Sequence, residues 1–207
     1  MKKMRGFKFL AFAVILLAVS GANTAVWGQQ SAAGAFHDRG LNFFQNRDYE
    51  RAIEEYTHAI RLRPDEPVTF LQRGVAYERI GDYTRAVQDY TQAIELIPNT
   101  RSRWNYYLYR AEAYFNMGDY DKAISDFTQA ISDYTQDINS RRNLSDNTRS
   151  MMDDNRRKIH GLRGLAYIRI GDYDSALTDL LVAYKLETDT TENVLRFTLE
   201  GLLRGNQ

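Results

Sequence analysis

Between residue 33 and about residue 190, apolar side chains return at steps of three and four in stretches of about 14 residues, the spacing of amphipathic helices. Short polar turns separate the stretches, which come in pairs, and the pairs are copies of one unit. Aligned on the small residues Gly40, Gly74, Ala111 and Gly164, each copy has an aromatic three residues on: Phe43, Tyr77, Tyr114 and Tyr167. Eight and nine residues on stand Asp48-Tyr49, Asp82-Tyr83, Asp119-Tyr120 and Asp172-Tyr173. Alanine follows at twelve (Ala52, Ala86, Ala123, Ala176) and at nineteen (Ala59, Ala93, Ala130, Ala183). At sixteen stand Tyr56, Tyr90, Phe127 and Leu180, the last being the one departure from the pattern.

The spacing predicts two helices per unit that cross at the small residues, where backbones approach closely and aromatics fill the adjoining grooves. Gly81, Gly118 and Gly171 stand where a first helix ends and the chain needs a left-handed residue. The following Asp caps the second helix, and Glu50, Asp121 and Asp174 favour its first turn through the macrodipole. The first unit has Arg47 in place of the glycine, so its turn is expected to be managed differently, through Asn46. Pro64 and Pro98 close the second helices of units one and two.

This series of small, aromatic, alanine and proline positions resembles the tetratricopeptide repeat, a helix–turn–helix of about 34 residues. Gly40 to Gly74 is one such step. The resemblance implies an all-α, TPR-type right-handed superhelix of four repeats, at 33–66, 67–100, 104–137 and 157–190. Between the third and fourth lies an insert, 138–156, with no proline or glycine. Ile131, Tyr134 and Ile138, then Met151, Met152, Ile159 and Leu162, keep helical spacing across it. It is expected to lengthen the flanking helices to about 24 residues each, ~36 Å, with the bend at Asn143–Asn147. An ordinary loop is the alternative. Residues 191–207 are expected to form a capping helix over the open end of the stack, with Thr190–Thr191 at its start.

Composition changes the picture at the N-terminus. Lys2, Lys3, Arg5 and Lys8 precede the apolar run Phe9–Val19, and Ser20 and Ala22 form a small-residue cleavage pattern. Such a run is too short for a bilayer core and suits a signal peptide over 1–28, cleaved after Ala22 or, second, after Gly28. The alternative is an uncleaved anchor reaching Val26, the one membrane attachment expected. Without those four cations the chain has 23 basic residues against 27 acidic, so no global pull toward nucleic acid is expected. There is no cysteine, which excludes disulfides and thiolate chemistry and, in an exported chain, fits a bacterial periplasmic or secreted protein.

Chemistry is sparse. His37, His58 and His160 lie in different repeats with no metal-ligand spacing, and no nucleophile elbow or phosphate-binding glycine loop occurs. No enzyme activity, metal or cofactor is expected. Arg141–Arg142, Arg156–Arg157 and Lys158 flank the insert among aspartates and are expected to form internal salt bridges.

The resemblance implies that the first helix of each repeat lines a concave groove. Its inward places are His37, Leu41, Phe44 and Gln45 in repeat one, and Val68, Leu71, Val75, Glu78 and Arg79 in repeat two. Asn105, Leu108, Glu112, Phe115 and Asn116 follow in repeat three, and Lys158, Leu165, Ile168 and Arg169 in repeat four. Each leucine and phenylalanine taken singly suits a core place under the neighbouring helix equally well; together the mixed, largely apolar row implies a protein or peptide segment as partner. The family's carboxylate clamp of Lys, Asn and Arg would fall on His37, Leu41, Gln72, Asn105 and Tyr109, which lack its cations. The expected function is a non-catalytic interaction scaffold of the cell envelope. The alternative is a permanent structural subunit of an envelope or secretion assembly, held through the long hairpin and the C-terminal helix.

Overall fold

The computed structural model describes residues 28, 31–97, 103–141 and 145–184. The signal sequence, Pro98, Arg142 and the capping helix lie outside the described residues. Eight helices run through the rest: α1 (31–45), α2 (Tyr49–Leu62), α3 (Pro67–Arg79), α4 (Tyr83–Leu96), α5 (Trp104–Met117), α6 (Tyr120–Ser140), α7 (Asp146–Ile170) and α8 (Tyr173–Tyr184). Odd-numbered helices are the first of each repeat and even-numbered the second. Successive first helices touch, α3 with α5 and α5 with α7, whereas successive second helices do not. A stack built so curves toward its first helices, and their free face is the inside of the curve.

The crossings explain the repeated small residues. A Cβ placed on Gly40 would stand 2.7 Å from Tyr56 Cδ1, and one on Gly74 would stand 2.6 Å from Tyr90 Cε1. On Gly164 it would meet Leu180 Cγ at 3.2 Å. In repeat three the partner ring is Phe127, and Ala111 fits there fully buried. Ala52, Ala86, Ala93, Ala123, Ala130 and Ala176 are likewise fully buried, so the alanine places are the contact surfaces of the helix pairs.

The turns follow the expected chemistry in repeats two to four. Gly81, Gly118 and Gly171 have φ near +80° (80°, 81° and 84°). Asp48, Asp82, Asp119 and Asp172 each accept a backbone N–H three residues on, from Arg51, Arg85, Lys122 and Ser175. Repeat one differs from expectation. Arg47 itself takes the left-handed conformation, φ 62°, while Asn46 donates its amide to Asn42 Oδ1 at 3.0 Å. The turn geometry is kept, at the cost that a Cβ imposes there.

A second repeated feature was not anticipated. The residue before each small anchor is arginine, and the residue fifteen after the anchor is acidic: Arg39 and Glu55, Arg73 and Asp89, Arg110 and Asp126, Arg163 and Asp179. The last three arginines each donate two bonds to their aspartate, at 2.7–2.9 Å. Each then donates from its remaining nitrogen to a threonine of the preceding repeat, Thr57, Thr91 and Thr128, at 2.9–3.1 Å. The arginine thus ties the two helices of its own repeat together and locks that repeat onto the one before. Arg163 reaches Thr128 across the insert, so repeat four stacks in the same register as the others.

The described residues of the insert are helical apart from Arg141 and Ser145. α6 runs 21 residues and α7 runs 25. Their extensions are packed: the Tyr134 hydroxyl donates to Met152 O at 2.9 Å, and the Tyr134 ring meets Trp104 edge-on at 4.6 Å. Of the bend expected at Asn143–Asn147, Asn143 and Leu144 lie outside the described residues, and the last two residues are helical. α6 ends at Ser140, and Ser145 caps α7 by accepting from Thr148 N, which leaves Asp146 and Asn147 already helical. Among the described residues Arg141, Arg156 and Arg157 pair within or at the end of single helices, with Asp137, Asp153 and Asp154, while Lys158 reaches across to Glu112 of α5.

Candidate functional site

The structure divides the expected groove residues in two. Leu71 and Leu108, each 9% exposed, are core residues, and their expected place on an open surface is corrected. They lie where α3, α5 and α7 close against one another, and those contacts cover them. Leu41, Phe44, Val75, Phe115 and Ile168 stay half-buried, Leu165 is 46% exposed, and Arg79, Asn116 and Arg169 are exposed. Val68, beside pocket-lining His37, is also exposed. His37 is held by Thr69 Oγ1, 3.1 Å from its Nδ1, and by the Tyr56 ring. Asn105 Oδ1 is buried with no hydrogen-bond partner among the described residues.

Two repeats share one arrangement on this face. Phe44 meets Tyr49 edge-on at 5.3 Å, and Phe115 meets Tyr120 in the same way at 5.3 Å. In repeat two the matching place holds Glu78 opposite Tyr83, and the contact opens into a cleft of about 410 Å³. Val75, Glu78, Arg79, Tyr83, Tyr109 and Glu112 line it, so it spans the boundary between repeats two and three. Tyr90, stacked on Tyr109 at 5.8 Å, donates its hydroxyl to Glu78 Oε2 at 2.9 Å. Burial, with Glu112 adding repulsion, raises the Glu78 carboxyl above the ordinary range despite that bond and the field of Arg79. Glu112 is reached by Lys158 Nζ at 3.3 Å, from a side chain 60% exposed.

Tyr83 was missed as a site residue because its Asp-Tyr place reads as purely structural. The signal that identifies it is the break at Glu78 in an otherwise apolar position. The histidines all have packing roles: His58 stacks on Phe36 at 5.1 Å, and His160 Nδ1 lies 2.7 Å from Asp179 Oδ1. Burial pushes the Asp179 carboxyl up, but Arg163 and His160 together outweigh it and hold it below the ordinary range. Among the described residues no group of three or more His, Asp or Glu is placed to hold a metal ion.

The family model described as 26S proteasome subunit RPN7 matches residues 68–196, and the model described as TPR repeat matches residues 40–81. The longer match runs over α3 to α8; proteasome membership is a property of the proteins that name that family. No curated protein matches the sequence significantly. Among solved structures, BtubC from P. vanneervenii superposes with a TM-score of 0.63 at 16% identity, over 74% of this chain and 62% of that one. The MamA RS-1 ArsTM double mutant gives 0.60 at 18%, over 74% of each chain. The TPR2B domain of yeast Sti1, in complex with pHsp70, gives 0.55 at 21%, over 66% of this chain and 96% of that one. In all, 246 solved chains match, so the fold alone singles out no partner. The repeated positions, the helix pairs and both family matches agree: the chain belongs to the tetratricopeptide-repeat family, with residues 68–196 of the RPN7 type.

Proposed function

We propose that this protein is a non-catalytic scaffold of the cell envelope that binds a segment of a partner protein along the inner face of its first helices. The observation that carries the reading is the row Leu41, Phe44, Val75, Phe115, Leu165 and Ile168. These side chains recur on one face in every repeat, yet neighbouring helices leave them half-buried or exposed. Phe44, Val75 and Phe115 pack on one side against the core, and their remaining surface offers apolar contact to an extended or helical segment. That one structural neighbour is a TPR domain in complex with pHsp70 is consistent with this use of the fold.

Replacing Phe44 and Phe115 together by serine is expected to weaken partner capture by about 2–4 kcal/mol. Leu165→Asp, at a place that packs less, should weaken capture with helicity unchanged. The alternative, a permanent subunit held by the hairpin, draws on Met151, 61% exposed on the α7 extension. Deleting residues 143–152 separates the two. Normal capture by the groove variants and lost capture by the shortened hairpin would overturn the groove reading.

The envelope location rests on Lys2–Lys8 followed by Phe9–Val19. Among the described residues no helix is long and apolar enough to cross a membrane. Intact-mass measurement of the native protein is expected to show loss of the residues up to Ala22 or Gly28, and a full-length protein in the cytosolic fraction would overturn export.

A further inference from the structure

Two places of the groove, one and four after the anchor, are apolar by default, and each departs from that once. The place one after the anchor holds Leu41, Val75 and Leu165 but Glu112 in repeat three; the place four after holds Phe44, Phe115 and Ile168 but Glu78 in repeat two. These two departures, on different helices, are brought to one cleft at the boundary of repeats two and three. Glu78 accepts from Tyr90 of α4 and Glu112 pairs with Lys158 of α7, but neither stands at a crossing. Among the described residues the crossings are made at the small anchors, and repeats one and four, which lack the acids, cross there too.

The cleft gathers two carboxylates and two tyrosine rings, with Arg79 beside them. Glu78 is half-buried and oriented by the Tyr90 hydroxyl, while its other oxygen has no hydrogen-bond partner among the described residues. Arg79 acts on it through its field only, without an ion pair within reach. Tyr83 and Tyr109 supply the walls, and Tyr83 has no ring partner among the described residues. Two carboxylates with tyrosine faces beside them attract an ammonium or guanidinium by charge and by the ring quadrupole. The chain displays this chemistry itself, because the exposed Lys158 already sends its ammonium to Glu112.

Building on the groove reading above, we infer that the partner segment carries a lysine or arginine and seats it between Glu78 and Glu112. Apolar residues of the segment flank it, toward Leu41 and Phe44 on one side and Phe115 and Ile168 on the other. The site thus selects the opposite charge to a carboxylate clamp.

The test is selection of random short peptides displayed on phage against the full chain. The expected peptides carry one basic residue with apolar neighbours. Glu78→Gln with Glu112→Gln should weaken them about tenfold or more, the scale of a charge-assisted bond lost. Lys158→Gln should strengthen them, because it removes the internal competitor. Selected peptides with no basic position, or unaffected by the double glutamine variant, would overturn the cation site. The groove reading would survive that result provided Phe44→Ser with Phe115→Ser still abolishes binding. Acidic peptides that lose affinity with Lys158→Gln would reverse the inferred charge. If no peptide is enriched, both readings fall.

Discussion

The packing face and the groove face are written with the same repeat, but they keep it differently. On the packing face each place is filled in every copy by a residue of one size: a glycine or alanine against Tyr56, Tyr90, Phe127 or Leu180, and an arginine against Glu55, Asp89, Asp126 or Asp179. On the groove face the apolar row holds until Glu78 and Glu112, where a carboxylate replaces an aromatic or aliphatic residue in adjacent copies. A position that every repeat needs for stacking cannot drift, because the next repeat docks on it. A position that faces outward can be changed one copy at a time. In a repeat protein, recurrence therefore marks what holds the fold, and a local break in recurrence marks what one copy does alone.

The largest expected effect comes from breaking a recurrent contact. Arg73→Ala strands Asp89, whose side chain is 7% exposed, and is expected to cost about 3 kcal/mol in chemical unfolding. The same change at Arg39, whose pair with Glu55 is 52% and 20% exposed, should cost at most ~1 kcal/mol, since exposed pairs contribute little. Equal losses would mean that the ladder is decoration. Ala93→Leu, at a fully buried crossing, should destabilise by roughly 1–3 kcal/mol. The exposed neighbour change Gln92→Lys should stay within about 0.5 kcal/mol.

Smaller effects of opposite sign are expected where repeat one departs from the others. Arg47→Gly removes a Cβ from a left-handed turn and should stabilise by about 1 kcal/mol in thermal unfolding. Tyr56 has a buried hydroxyl without a hydrogen-bond partner among the described residues, and burial lifts its pKa to about 12. Tyr56→Phe should therefore be neutral or stabilising by about 1 kcal/mol, whereas Tyr90→Phe takes away the bond to Glu78 and should not stabilise.

The helix pairs, caps and left-handed glycines were legible in the sequence because each is a local rule acting within a few residues. The arginine–carboxylate pair recurs in all four repeats, with a threonine tie in the last three, yet it is not legible in the sequence. Its partners stand sixteen residues apart on different helices, and a charge at one helical place reads as a solvated face until the crossing that buries it is known. Leu71 and Leu108 failed for the complementary reason. Their places do face inward, but whether the neighbouring first helix covers them depends on how tightly the stack curves. Glu78 and Glu112 were visible singly as groove residues. Only the offset between repeats two and three brings them to one cleft, and no spacing along the chain encodes that offset.

The most direct test of the division between fold and function is thermal unfolding of the Glu78→Gln, Glu112→Gln chain beside the native one. Glu78 has a folded pKa above its unfolded value, by burial first and Glu112 second, while Tyr90 and Arg79 oppose the shift. Its charge therefore costs stability at neutral pH, and that cost is relieved as pH falls through the raised value toward the ordinary glutamate range. The Glu112–Lys158 pair is exposed enough to contribute little. The double variant is expected to melt at the native temperature or above it at neutral pH, with the difference shrinking on acidification. A variant that melts well below the native chain, as Arg73→Ala is expected to, would mean that the two carboxylates hold the repeats together and are not there for a partner.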